Sequence, residues 1–332
     1  MKHCKRLLIL TLLLLLPLTA ASAETVLASW TEDTPARLLC AGGRWYAMLG
    51  SYGRNDATLA VGDAPDALTT VHTDEAKVWS FEAAPTHAAW VQIAEDTFRW
   101  MLYDHASGQV TEVWREADVD KRPCVTLALD EEALYYVRSD MAAESSILYR
   151  RSLADGAETV LRMPGGMIAS LTMRQGELIL AERSAEGWQL LRLNAETGDE
   201  LAVKKLPAIV ETVFTADYDP AFRSWAAYYR DTSGREQAGI LSGNSVLNVY
   251  TFGWVEYAYD EALEMVDGHL IWTIKREVSG VIADNFITVD YDLRRNQVTE
   301  HRGSCHFQTT DGGLLLLRID PENSAIVLEQ AR

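Results

Sequence analysis

The sequence predicts an all-β protein: a seven-bladed β-propeller of four-stranded antiparallel blades, its ring closed by the N-terminal strand 24–30 joining the last blade. Three observations carry that reading. A pair of short apolar runs around a tight turn recurs seven times. The recurrences stand 44 to 47 residues apart. No run of 12 or more residues holds a clean helical period, so the chain offers strands and turns but no helix.

Residues 1–23, MKHCKRLLILTLLLLLPLTAASA, read as a secretory signal. Lys2, Lys5 and Arg6 form a positive start, Leu7 to Leu16 an apolar stretch, and Ala21-Ser22-Ala23 a small-residue cleavage site. The apolar stretch is shorter than the ~20 residues that span a bilayer. No cysteine stands at the cleavage point, so a lipid anchor is not expected. The expected product is a secreted or extracytoplasmic chain, 24–332, forming one propeller domain with no membrane insertion after cleavage.

The strong hairpins are 38–49 (LLCAGGRWYAML), 126–137 (TLALDEEALYYV), 170–181 (SLTMRQGELILA), 264–274 (EMVDGHLIWTI) and 307–319 (FQTTDGGLLLLRI). Weaker copies are 82–93 and 217–229. Aligning the start of each second run picks out Trp45, Ala89, Leu134, Leu178, Trp225, Leu270 and Leu314, in steps of 44, 45, 44, 47, 45 and 44. Each unit also holds two further runs. In 124–163 these are SILYRRSLA and AETVLRM, rich in Leu, Tyr and Val and separated by a turn at Asp155-Gly156. Four antiparallel strands per unit is the pattern of a blade. A solenoid would repeat at a shorter period, and a sandwich would not repeat seven times.

The ends point to closure. The last unit supplies only three runs, 305–311, 313–320 and 325–332. ETVLASW (24–30) looks like the fourth strands elsewhere, such as ETVLRM (158–163), and completes the seventh blade. That removes the open edges that invite aggregation.

The hairpin pattern, best seen in TTDGGLLLLRID (309–320) before a polar loop, resembles the repeat of TolB-like propellers and of dipeptidyl-peptidase N-terminal propellers. The resemblance covers the chain from residue 24 onward. It implies a binding platform in the first group and a gating domain in the second. The chain has no room for the hydrolase domain of the peptidases.

Composition and motifs narrow the function. Asp and Glu number 48 against 30 Lys and Arg, a formal charge of −18. That argues against nucleic acid, which needs clustered positive charge. There is no G-x-S-x-G elbow, Gly-rich phosphate loop, H-E-x-x-H or sialidase box. No cofactor is implied. Cys40, Cys124 and Cys305 read as small buried hydrophobes. Cys305-His306 opposite Cys124 does not make a metal set, because neighbours on a strand face opposite ways. The histidines at 72, 87, 105, 269 and 301 fall in turns or at strand ends and read as solvated.

Most tryptophans recur at strand positions and read as blade packing. Two differ. Trp30 ends the closing strand, and Trp254 lies in the link 252–264, FGWVEYAYDEALE, beside Glu256 and Tyr257. A second link, EADVDKRP (116–123), carries Asp118 and Arg122. Blade-to-blade links emerge on one face, and aromatics beside carboxylates suit a sugar or a cationic group. The expected ligand-binding set is therefore Trp30, Asp118, Arg122, Trp254, Glu256 and Tyr257, with no catalytic residue. The expected molecule is a monomeric binding or scaffolding module for a protein or an extracellular glycan. The alternative is a glycosidase or lyase with Asp118 and Glu256 as its acid pair, which requires carboxylates roughly 5–9.5 Å apart. A third reading is an interaction protein with no small ligand.

Overall fold

A computed structural model describes residues 25–29, 37–49, 57–117, 126–140, 143–242, 245–251, 256–276, 285–310, 313–320, 322–323 and 325–331. The signal-like segment 1–23 lies outside them. The described residues form seven four-stranded antiparallel sheets arranged as a ring.

Blade 1 is β2 (Arg37–Ala41), β3 (Arg44–Leu49), β4 (Ala57–Gly62) and β5 (Thr69–Asp74). Blade 2 is β6 (Lys77–Ala83), β7 (His87–Ala94), β8 (Thr97–Asp104) and β9 (Gln109–Ala117). Blade 3 is β10 (Leu127–Leu129), β11 (Ala133–Asp140), β12 (Ser145–Ser152) and β13 (Glu158–Arg162). Blade 4 is β14 (Ile168–Arg174), β15 (Glu177–Ser184), β16 (Gly187–Asn194) and β17 (Glu200–Lys205). Blade 5 is β18 (Val210–Asp219), β19 (Ser224–Asp231), β20 (Glu236–Ser242) and β21 (Ser245–Thr251). Blade 6 is β22 (Glu256–Val266), β23 (His269–Arg276), β24 (Phe286–Asp292) and β25 (Gln297–Arg302). Blade 7 is β26 (Ser304–Thr310), β27 (Gly313–Asp320) and β28 (Ala325–Gln330), joined by β1 (Thr25–Ser29). The register Thr25↔Leu328, Val26↔Val327, Ala28↔Ile326 and Ser29↔Ala325 is the expected closure of the ring.

The tight turns explain the repeat. Gly42-Gly43, Gln175-Gly176 and Asp267-Gly268 are two-residue turns with both φ positive, the geometry that matches strand twist. At Gly268 a side chain is also sterically barred: a Cβ would stand 2.5 Å from the Phe222 ring of the preceding blade. Blade 5 turns through the longer Pro220–Arg223 segment between Asp219 and Ser224, which accounts for the step of 47. Register corrects one alignment. Ala88, not Ala89, occupies the position of Trp45 in blade 2, because Ala83↔Ala88 matches Cys40↔Trp45.

The core is distributed between blades. Among the described residues the apolar side chains fall into seven clusters, one for each pair of neighbouring blades. Alternation along each second strand serves two interfaces at once. In β11, Leu134 and Tyr136 pack towards blade 2, and Tyr135 and Val137 towards blade 4. Trp90, Trp100 and Trp272 are wholly buried in this packing, as their strand positions predict. His72 is a correction. Its ring packs 5.5 Å from that of Trp90 and its Nε2 is shielded from solvent, because strand alternation turns it inward.

Candidate functional site

Four of the predicted ligand-binding residues, Trp30, Asp118, Arg122 and Trp254, lie outside the described residues. Glu256 and Tyr257 lie in a strand: they open β22, paired with Arg276 and Lys275. Tyr257 and Tyr259 thus belong to the first strand of blade 6, the plainer of the two readings that the sequence 252–264 allows. Glu116 and Ala117 likewise extend β9 into the second predicted link. Of the cysteines, Cys40 is free; the side chains of Cys124 and Cys305 are outside the described set. Among the described residues no group of three or more His, Cys, Asp or Glu could hold a metal ion.

Two polar constellations do stand out, and neither was singled out from the sequence. The first is on the innermost strands, at the hairpin end. Arg174, last residue of β14, reaches to blade 5, where its Nε and Nη2 donate to the Asp217 carboxylate at 2.7–3.1 Å. Its Nη2 also stands 3.1 Å from Glu264 Oε1 on blade 6. Asp217 is 0% exposed. Its Oδ2 accepts the Met265 N–H of blade 6 at 2.7 Å and its Oδ1 the Tyr218 N–H at 2.8 Å. Burial pushes the Asp217 carboxyl up, against the pull of Arg174. Burial also works against the Arg174 charge, but Asp217 and Glu264 outweigh it, and the guanidinium is raised above its ordinary value. The arrangement ties three blades together. Gln308 joins blade 7 to blade 1, its Oε1 accepting the Cys40 N–H at 2.6 Å and its Nε2 donating to the Cys40 carbonyl at 3.0 Å. The Arg174 side chain is still 26% exposed and Glu264 19%, so they present a polar wall at the inner ring.

The second constellation is on the opposite end of the strands, where blade links emerge. The starts of β6 and β8 and the ends of β9 and β11 meet there, at the seam between blades 2 and 3. Trp79 is in β6, 44% exposed. It is the extra residue of a β-bulge between Val78 and Ser80, and a bulge re-aims a side chain out of the regular pleat. Its ring stands edge-on to Phe98, with centroids 6.1 Å apart and planes at 88°. Phe98 is paired with Glu116, and Trp100 with Trp114. Directly paired residues share a face, so these four point to the same side of blade 2, towards blade 3.

Blade 3 answers with Arg138 near the end of β11. Its guanidinium carbon stands 3.9 Å from the Trp114 ring centroid and 4.1 Å from that of Tyr149. Arg138 Nη2 donates to Tyr136 Oη at 2.6 Å and to Glu158 Oε2 at 2.8 Å. Tyr136 also donates to Glu158. Burial alone would raise the Glu158 carboxyl, but these donors hold it below its ordinary value. Glu116 is the contrast. Burial raises its pKa and the Asp140 charge adds to the rise, while Arg138 opposes it. Glu116 Oε2 is buried without a hydrogen-bond partner, and so are the indole N–H groups of Trp100 and Trp114. A buried carboxyl oxygen and buried indole N–H groups without partners are each costly in a purely structural role.

Comparison with known proteins bears on the fold. No protein-family model matches the chain, and no curated protein matches it in sequence. Among solved structures, the tricorn protease aligns with 89% of this chain and 33% of that one, at 10% identity and TM-score 0.52. The AfRom2 CNH domain aligns with 93% of this chain and 99% of that one, at 9% identity and TM-score 0.51. TolB from Acinetobacter baumannii is also among the neighbours. It aligns with 68% of this chain at 11% identity and TM-score 0.46, and the chain spans 58% of that structure. At such identities the likenesses to the tricorn protease and the AfRom2 CNH domain show a shared fold and nothing more.

Proposed function

We propose that this protein is an exported, non-catalytic binding propeller that recognises an extracellular glycan or a protein on the face of its blade links. The observation that supports this most is the seam between blades 2 and 3, which turns Trp79 outward on β6 and carries on β9 a carboxyl, Glu116, with an unmatched oxygen. The inner ring, by comparison, spends its charge internally. Asp217 Oδ2 and Glu264 Oε1 both lie within 3.1 Å of Arg174 Nη2. They cannot serve as acid and nucleophile, because Asp217 is closed to solvent and both its oxygens are taken.

A glycosidase reading has one specific observation behind it: Glu116, a carboxyl raised by burial, with a second carboxylate, Asp140, close enough to add to the rise. One experiment weighs the two. The chain is screened by thermal shift and by hydrolysis assay against oligosaccharides, chromogenic glycosides and basic peptides. The binding reading expects stabilisation of about 2.7 kcal/mol by a ligand at 100 times its Kd, without turnover. Turnover lost in Glu116→Gln would replace it with the enzyme reading. No binding to any probe would refute both.

A further inference from the structure

We infer that the outer edge of blade 6 is a docking surface for a second copy of this chain, the two β25 strands pairing antiparallel about a two-fold axis at Thr299. The edge is on a different blade from the seam between blades 2 and 3, and its occupancy is independent of the ligand proposed above.

Every blade ends in an outermost strand, and an exposed strand edge is a template for another strand unless something blunts it. Six of the seven edges are blunted in the same way. Among the described residues, β1, β5, β9, β13, β17 and β21 each break register against the strand inside them. Such a bulge bends the edge and increases its twist, which spoils flat pairing. β25 is the exception. It pairs with β24 without a break, from Asp292↔Gln297 to Ile287↔Arg302. No described strand lies beyond it in the sheet. Gln297, Val298, Thr299, Glu300 and Arg302 are all exposed, Val298 by 43%. The strand QVTEHR also lacks Lys and Pro, two residues that guard edges.

The side chains select the occupant. A two-fold axis between antiparallel copies of one strand passes at a residue that then faces itself. If that residue were Glu300, two carboxylates would stand opposite each other, which is destabilising. If it is Thr299, the two hydroxyls meet, a favourable cross-strand pair. Val298 then faces Glu300 of the second copy and Gln297 faces its His301, in both directions, and no like charges are opposed. Moving the axis to Val298 or His301 shortens the ladder. The strand is therefore complementary to itself in one register. The join makes the four strands of blade 6 and their copies one continuous sheet. Each copy carries a formal charge of −18, so long-range repulsion opposes the contact, and salt relieves that repulsion by screening it.

The test is sedimentation velocity of the full chain over a concentration series at low and high salt. The expected result is a monomer–dimer equilibrium that is tighter at high salt. Thr299→Lys places like charges opposite each other and should weaken the dimer about fivefold or more. Thr299→Glu should do the same. Both should leave the thermal melt unchanged, since residue 299 is on the surface. An equimolar mixture of the two variants should recover the dimer, because Lys and Glu then face across the axis. Val71→Lys, on the outermost strand of blade 1 and also exposed, should leave dimerisation unchanged. A monomer at every concentration and salt would overturn the proposal. A dimer as tight in Thr299→Lys as in the native chain would place the contact on another surface and overturn it too. Failure of the mixture to recover the dimer would overturn the two-fold pairing at Thr299.

Discussion

Replacing Arg174 by Met should destabilise the ring by about 3–5 kcal/mol at pH 7, the cost of leaving one member of a buried ion pair without its partner. The structure puts this site at the full value. Asp217 has no solvent to turn to. The substitution removes three hydrogen bonds from its carboxylate. It also leaves Glu264 facing Asp217 with no cation between them. With an unfolding entropy of about 2.1 cal/mol/K per residue over roughly 300 residues, the loss corresponds to a Tm lower by about 5–8 °C. The double variant Arg174→Met, Asp217→Asn should regain most of it, because an amide still accepts the Met265 N–H without charge. The pH dependence gives a second check. Without Arg174 the folded-state pKa of Asp217 rises further above its unfolded value. The folded state then holds a proton that the unfolded state has lost, and that advantage disappears as pH rises through the folded pKa. The deficit of Arg174→Met should therefore be largest at neutral pH and shrink on acidification. Urea denaturation at several pH values measures it. A loss under about 1 kcal/mol, or one equal at all pH values, would refute the account.

Two further predictions concern ring closure. Removing residues 24–30 deletes β1 and exposes the edge of β28, so the shortened chain should lose cooperativity and associate, as light scattering and size-exclusion would show. His306 on β26 is 3% exposed; burial first, and Arg37 on β2 second, push its pKa well below the ordinary value, although its ring donates to the Leu38 carbonyl. The unfolded chain protonates this residue near pH 6.5 and the folded chain does not. Stability is thus complete above that pH and falls, by up to about 1.4 kcal/mol per pH unit, as pH drops towards the folded pKa. His306→Gln should flatten that part of the pH profile in denaturant melts, and an unchanged slope would exclude the mechanism.

How much of this was legible in the sequence depends on the range of the physics involved. Hairpins are local. The glycines at 43, 176 and 268 and the apolar runs around them announce turn and strand within a dozen residues, and repetition at a near-constant step converts that local signal into a ring. The closing strand was legible for the same reason, since 24–30 looks like other fourth strands and the last unit lacks one. The charged inner ring was not legible, because Arg174, Asp217 and Glu264 are 43 and 47 residues apart along the chain and meet only where three blades converge. Trp79 was not legible either. In KVWSFEA it looks like one more packed strand residue, and only the bulge at Val78 and Ser80 turns it outward. Amino-acid order by itself determined strand, turn, blade count and closure, because backbone geometry and burial of alternate residues act over short distances. Which side chains share a seam, and which of them are left with an unmatched polar atom, was decided by the tertiary structure, since that is set by how neighbouring sheets twist and register against each other.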